Sequence, residues 1–138
     1  DIQASLGLSQ LKKLNLFVKK RRNIASIYNQ HLDNNNLILP IEKRYAKSSF
    51  HLYVVLVNNT KKKVRNDLII FLKKNKIFTN IHYKPIHLQP YFQKFGFKKG
   101  DFKNAEKYYE KAISLPIHPN LKKKEVMTII KKINNFFR

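Results

Sequence analysis

Apolar side chains recur at helical spacing from the first residues of the chain to about residue 32. No proline interrupts the pattern, and Asp1 is in place to cap its first turn. At ~1.5 Å per residue such a helix is about 48 Å long, several times the usual length. We therefore predict one connecting helix over residues 1–33. Its main apolar face comprises Ile2, Leu6, Leu14, Phe17, Ile24, Tyr28 and Leu32, with Leu11 and Val18 at the edge.

Two further leucines of the predicted helix, Leu8 and Leu16, lie off this main face. Their position predicts burial on a second side, by a part of the protein outside the sequence. The alternative is a coiled-coil segment, which the pattern favours less because the apolar positions do not keep a strict heptad.

The next residues, 34–83, predict strands and a helix in alternation. After a polar linker of three asparagines and a short apolar segment at 37–41, residues 50–57 read as a strand. That strand is apolar on both faces apart from His51 and Tyr53, which is typical of a central strand. Thr60 is placed to cap a helix reaching residue 75, and residues 77–83 alternate like a second strand. The predicted core face of the helix consists of Val64, Leu68, Phe71 and Leu72.

The last third of the chain predicts two more helices. One helical turn is expected at 91–95, a helix capped by Asp101 at 102–112, and a short extended edge strand at 114–119. Asn120 is placed to cap the final helix. The buried face of that helix is predicted to be Val126, Ile129, Ile130, Ile133 and Phe137. The predicted fold is therefore α/β, with the long helix of residues 1–33 leading into a small domain of residues 34–138 whose sheet is covered by helices.

The charge of the chain is its most unusual compositional feature. The formal net charge is +21, a value typical of nucleic-acid-binding proteins. The basic residues are mostly lysine, although arginine reads phosphates and bases better, and they are spread through every segment. Lysine, asparagine and isoleucine, all abundant here, share A/T-rich codons. We therefore attribute most of the charge to solvated faces and keep a basic nucleic-acid-binding module as the alternative.

Other features of the sequence exclude several kinds of structure. There is no cysteine, so disulfides and thiolate metal sites are excluded. The longest apolar run, at 52–57, is too short to span a bilayer, and no secretory signal precedes the first helix, so we expect a cytoplasmic protein without a membrane segment. Asp1 stands where a natural start has methionine, and we expect a piece of a longer chain.

The stretch with the most binding chemistry is residues 80–91. It holds two histidines, two prolines, two tyrosines, a lysine and a glutamine directly after the second predicted strand. Pro85 and Pro90 fix their own φ angles and restrict the preceding residues, so we expect a defined, extended loop. Such a loop at a strand end is a common place for a ligand site. The alternative is a surface loop with incidental histidines.

The catalytic signatures of several enzyme classes are missing from the sequence. There is no Gly-rich phosphate loop, nucleophile elbow, kinase signature or paired His/Asp metal spacing. A turn at Pro85 can bring His82 and His87 to one site, where imidazoles that titrate near pH ~6.5 can donate or accept a proton. No third ligand is close to them in the sequence, so we predict no metal site.

Several stretches together carry a resemblance to a known family. They are residues 1–11, 21–25, 51–55 and 82–91, followed by Phe95, Gly96, Phe97, Gly100, Asp101, Ala105, Glu106, Tyr108, Tyr109, Glu110, Ser114, Leu115 and Pro116. These stretches resemble sugar aminotransferases of the DegT/StrS type over nearly the whole chain. The loop region is similar to one subgroup, the transaminases that make UDP-4-amino-4,6-dideoxy-N-acetyl-β-L-altrosamine on the way to pseudaminic acid.

The resemblance implies a homodimeric fold-type-I enzyme that uses pyridoxal 5′-phosphate (PLP). Such an enzyme moves an amino group from glutamate to the 4-keto carbon of a UDP-linked sugar. The lysine that forms the Schiff base lies in a large N-terminal domain that this sequence lacks, so no catalytic or cofactor-binding residue is assigned here and the chain alone is expected to be inactive. The alternative is a split or degenerate gene product that keeps the helix as an interaction piece.

The resemblance assigns site residues only in the loop. His82, Tyr83 and His87 match positions that face the active site in the family, where a histidine orients the substrate. Lys84 and Gln89 are expected to meet phosphates or hydroxyls of the substrate.

Overall fold

The computed structural model describes residues 1–58 and 62–138. Its first 31 residues form two consecutive helices, α1 (Ile2–Leu11) and α2 (Leu14–His31). The prediction of one continuous helix is wrong at Lys12 and Lys13. The Lys13 N–H donates to the Gln10 carbonyl at 2.9 Å, a tight i→i−3 bond that ends α1, and the Lys13 carbonyl then accepts the first bond of α2 from Phe17. Asp1 occupies the cap position of α1, but its side chain makes no cap hydrogen bond.

The sheet has three antiparallel strands in the order β1 (Leu37–Ile38), β2 (Tyr53–Val57) and β3 (Ala112–Leu115). β2 is central, as its apolar faces predict. It begins at Tyr53 and not at Phe50, because Phe50 has a φ of 47°, which a strand cannot adopt. The edge strand predicted at 114–119 is present at the sheet edge, shifted toward the N-terminus of the chain.

Residues 77–83 do not form the predicted second strand. Their only ladder contact within the described part of the chain is a bridge in which Asn80 and Ser114 exchange backbone hydrogen bonds of 3.2 and 2.8 Å. The chain then leaves the sheet, because the Asn80 side chain accepts the next N–H, that of Ile81, at 2.8 Å. His82 reaches Ser114 with its side chain instead.

Four further helices cover the sheet and its loops. They are α3 (Lys62–Lys74), the short α4 (Pro90–Gln93), α5 (Lys103–Lys111) and α6 (Lys123–Phe136), with a 3₁₀ turn at Ile86–Leu88. The predicted cap Thr60 lies outside the described residues. Two other predicted caps are wrong. Asp101 accepts the Lys98 N–H at 2.8 Å and does not cap α5. Asn120 does not cap α6, because that helix begins after Lys122, whose N–H donates to the Glu125 carboxylate at 2.7 Å.

The hydrophobic core lies between the sheet, the second half of α2, α3 and α6. Tyr28 packs on Tyr53 with ring centroids 4.8 Å apart, and its hydroxyl donates to the Pro116 carbonyl at 2.8 Å. The Asn134 side chain on α6 donates to the His31 carbonyl at 2.9 Å and accepts the Asp33 N–H at 3.1 Å. Core residues from the predicted helix faces are Ile24, Tyr28, Leu32, Leu68, Leu72, Val126, Ile129, Ile130 and Ile133. The predicted α/β class, a small sheet covered by helices, is confirmed.

The first half of the predicted helix face is exposed. Ile2 is 88% exposed and Leu6 is 61% exposed, and Leu8 and Leu16, off that face, are exposed as well. Burial begins only at Ile24, where α2 meets α6 and the sheet. α1 therefore presents an uncharged apolar surface without a partner among the described residues. The division into residues 1–33 and 34–138 stays a prediction.

Candidate functional site

The loop of residues 80–91 is rigid for identifiable reasons. Pro85 has a φ of −52°, and its carbonyl accepts the Leu88 N–H at 3.0 Å. The Gln89 N–H donates to Ile86 at 2.9 Å, which closes the 3₁₀ turn. The expectation of an extended backbone throughout is therefore wrong at Ile86–Leu88. Pro90 begins α4, where its missing N–H costs no hydrogen bond.

His82 fastens the start of the loop to the sheet. Its Nδ1 lies 2.8 Å from the hydroxyl of Ser114, which is only 5% exposed in β3. The ring also meets Tyr83 edge to face, with centroids 4.7 Å apart. The imidazole is half-buried, so one part of it is held by the sheet and another part faces solvent.

His87 fastens the end of the loop to α5 through a buried pair with Glu106. Its Nε2 is 2.9 Å from Oε1 of Glu106, and the two residues are 7% and 8% exposed. The Gly100 N–H donates to the same oxygen at 2.7 Å. The hydrogen bond from His87, with that from Gly100, holds the pKa of Glu106 below its ordinary value. Glu106 is therefore ionised at neutral pH, accepts both bonds, and holds a proton of His87 on Nε2.

The partnership with Glu106 was not predicted from the sequence. Glu106 belongs to the segments that carry the family resemblance, but its helical position gave no sign that it contacts the loop. The sequence signal that could have found it is the helical spacing of Glu106 with Phe102 and Tyr109, which places the carboxylate on the apolar face of the helix. A carboxylate on the inner face of such a helix needs a hydrogen-bonding partner.

An apolar pocket of about 390 Å³ opens beside this pair. Among the described residues that line it, His87 is the one ionisable side chain. Phe102 packs on the His87 ring with centroids 4.8 Å apart, and Phe97 lies 6.1 Å from Phe102. The rest of the lining comes from the loop and its flanks, namely Pro85, Ile86, Phe92 and Ala105.

Of the other predicted site residues, two are exposed and one is half-buried. Tyr83 is 74% exposed and Lys84 is exposed. Gln89 is half-buried, with its Nε2 3.5 Å from the Lys84 carbonyl. His82 and His87 bind different partners, Ser114 and Glu106, so each holds the loop to a different part of the fold. Their contacts with a substrate stay predictions.

The described ranges 1–58 and 62–138 offer neither a metal site nor a membrane-spanning helix. No cluster of three or more histidine, aspartate or glutamate side chains there is arranged to hold a metal ion. No helix in the same ranges combines the length and hydropathy needed to cross a bilayer.

Comparison with known proteins gives matches along nearly the whole chain. Residues 1–134 match the DegT/DnrJ/EryC1/StrS aminotransferase family. The chain is 45% identical to the uncharacterized protein MJ1066 of Methanocaldococcus jannaschii, covering 96% of this chain and 35% of that protein. It is 37% identical to the Bacillus subtilis spore coat polysaccharide biosynthesis protein SpsC, and the match covers 100% of this chain and 36% of SpsC. It is 34% identical to the Helicobacter pylori UDP-4-amino-4,6-dideoxy-N-acetyl-beta-L-altrosamine transaminase, covering 99% and 36%.

Solved structures match the fold with the same coverage. The PLP form of Spr1654, a sugar aminotransferase of Streptococcus pneumoniae, superimposes with a TM-score of 0.93 at 32% identity, covering 99% of this chain and 35% of the other. Helicobacter pylori PseC, described as an aminotransferase in pseudoaminic acid biosynthesis, gives a TM-score of 0.89 at 35% identity, covering 99% and 37%. The chain thus spans about a third of the length of the proteins it matches.

Proposed function

The chain belongs to the DegT/DnrJ/EryC1/StrS aminotransferase family, and we propose that it is the C-terminal third of a nucleotide-sugar transaminase. The observation that carries this proposal is the family match over residues 1–134. It is supported by a loop whose two histidines are each held by a buried polar partner. Such preorganisation is what a substrate-positioning loop requires.

Aminotransferases of this family use PLP, which acts as the electron sink of transamination when it is bound. The described residues of this chain do not offer the group a site of their own. No lysine whose side chain the structure describes is buried; Lys111 and Lys132 are half-buried and the others are exposed. A Schiff-base lysine acts in a desolvated pocket, so we assign that residue to the rest of the intact protein.

We assign to this chain the positioning of the sugar substrate. The half-buried ring of His82 contacts the exposed ring of Tyr83, and the next residue, Lys84, is exposed as well. A cationic lysine there suits the phosphates of a UDP-linked sugar, and the histidine suits a hydroxyl or carbonyl. His87 is buried and paired, so its part in this proposal is to hold the turn at Ile86–Leu88 in place.

The finer assignment follows one group of relatives. We propose a UDP-linked 4-keto-6-deoxy-N-acetyl hexose as the amino acceptor and glutamate as the donor, as the sequence resemblance implies. The identity to the altrosamine transaminase of Helicobacter pylori supports this choice. A homodimer and a cytoplasmic location belong to the same proposal.

The test is amino transfer by the intact protein with bound PLP. We expect turnover of the UDP-4-keto sugar with glutamate, and no turnover by the 138-residue chain alone. His82→Ala is expected to raise KM or lower kcat without loss of the PLP absorption band. Absence of transfer to any nucleotide-linked keto sugar by the PLP-loaded intact protein would contradict the proposal.

The charge of +21 favours a second candidate, a nucleic-acid-binding module. The exposed lysines of α3 and α6 are available for phosphate contacts. That function predicts an affinity for duplex DNA or RNA that falls steeply with salt, with log K linear in log salt. Binding that is absent at ~0.15 M salt, near physiological ionic strength, would remove this candidate.

A further inference from the structure

We infer that the apolar pocket beside His87 and Glu106 is the subsite for the uracil ring of a uridine nucleotide. The inference deepens the proposed function and rests on it for the choice of base. Nothing in the family match assigns a ligand to this pocket. The case for it comes from the shape and lining of the pocket and from the charges around it.

The lining of the pocket suits a flat aromatic ring. The partly exposed rings of Phe92, Phe97 and Phe102 surround an opening of about 390 Å³, within the range of small-ligand clefts. Aromatic faces stack on bases without needing hydrogen bonds. A group of three exposed phenylalanines is an apolar patch that is unfavourable in water. Such a patch on an otherwise charged surface is typical of a binding site.

The pocket is held open by contacts beneath it. The ring centroids of Phe102 and His87 are 4.8 Å apart, and His87 is fixed by its 2.9 Å hydrogen bond to Glu106. Glu106 also accepts the Gly100 N–H, and Gly100 lies in the turn that leads to Phe102. The aromatic wall is therefore fixed before any ligand arrives, which lowers the entropy cost of binding.

The charges around the pocket suit a diphosphate attached to the base. Residues 84–105 include five lysines and a single acidic residue, Asp101. The lysines are Lys84, Lys94, Lys98, Lys99 and Lys103. A second cavity of about 510 Å³, less apolar than the first, shares Phe102 and Ala105 with it and is lined by Lys103. Asp101 also lines it, with its carboxylate accepting the Lys98 N–H at 2.8 Å. A nucleotide with its base against Phe102 thus has a cationic side chain within reach of its phosphates.

The experiment measures UDP binding to the intact protein by calorimetry, with inorganic pyrophosphate as the comparison ligand. Phe97→Ala removes one wall, and Ala105→Leu fills the pocket without removing a ring. We expect each to weaken UDP binding by about 5- to 150-fold, the range for losing one base–aromatic stack. Pyrophosphate binding is expected to be unchanged. Phe95→Ala is the matched control, because this exposed ring contacts Tyr91 and is absent from the described lining of the pocket.

The outcomes separate the subsite from the proposed function. UDP binding that is equally tight in Phe97→Ala and Ala105→Leu overturns the subsite, whether or not the protein is a transaminase. Wild-type affinity no greater for UDP than for pyrophosphate also overturns it. If UDP binding weakens as expected but the PLP-loaded protein transfers no amino group, the subsite stands and the proposed function fails.

Discussion

The bond between Ser114 and His82 offers a direct measure of how firmly the sheet holds the site loop. Ser114→Ala removes the hydroxyl that lies 2.8 Å from His82 Nδ1. The backbone bridge between Asn80 and Ser114 does not depend on the side chain and is expected to persist. The substitution therefore isolates one side-chain anchor of the loop.

The free energy lost in Ser114→Ala depends on how deeply the Ser114 hydroxyl and the His82 ring are buried. A protein hydrogen bond contributes about 0.5–1.5 kcal/mol net. His82 is half-buried, so its nitrogen can recruit water when the hydroxyl is gone, and no full desolvation cost is added. At that energy the loop opens about 2- to 13-fold more often.

Hydrogen exchange of the intact protein, read by mass spectrometry, measures this opening. The amide of Ile81, which donates to the Asn80 side chain beside this anchor, is expected to exchange about 2- to 13-fold faster in Ser114→Ala. Ser26→Ala on α2 is the control, because Ser26 is exposed and only accepts a 3.4 Å bond from Gln30. Unchanged exchange in the loop would refute the anchoring argument, and equal acceleration in β2 would mean general destabilisation instead.

Three further predictions concern pH, core packing and solubility. Because the pKa of Glu106 is lowered in the folded state, Glu106 stabilises the fold above its ordinary pKa of 4.5, and this stabilisation is lost as pH falls through the folded pKa. Hydrogen exchange of the loop measured at decreasing pH should show the loss. Glu106→Gln should remove this pH dependence. Ile133→Ala should cost about 2–5 kcal/mol in chemical unfolding because Ile133 is fully buried, whereas Ile41→Ala, at an exposed site, should cost little. The 138-residue chain should self-associate through α1, and Leu6→Glu should reduce its sedimentation coefficient; a monomeric wild-type chain would contradict this.

The helices and the central strand could be predicted because their periodicity reflects burial directly. Leu68 and Leu72 on α3, like Ile129 and Ile133 on α6, lie in the core as their spacing indicates. The break at Lys12 and Lys13 could not be predicted in this way. It depends on backbone bonds at the end of α1, where no buried side chain constrains the helix.

The helix caps and the second strand depended on tertiary contacts that a local pattern does not contain. Asp101 is a good capping residue, but it binds the Lys98 N–H of its own turn. Residues 77–83 alternate correctly, yet they form one bridge, at Ser114, and then leave the sheet. A strand needs a partner along its length, and alternation alone does not supply one.

The site loop could be located from its composition, but the roles within it could not. The prolines and histidines marked residues 80–91, and the structure gives His82 and His87 specific partners there. The partner of His87 is Glu106, nineteen positions later in the chain. Pairing across that distance is set by how α5 packs, and no spacing rule connects the two residues.

The contact of α6 with α2 has a consequence for how the protein is made. Asn134 binds the carbonyl of His31, 103 positions earlier, and α6 supplies one wall of the core. A ribosome adds about 5–20 residues per second, so α6 is synthesised roughly 5–20 s after α2, and α2 stays uncovered by α6 for that time. During that interval Ile24 and Tyr28 are open to other newly made chains. The segment is therefore a place where we expect chaperones to bind during synthesis.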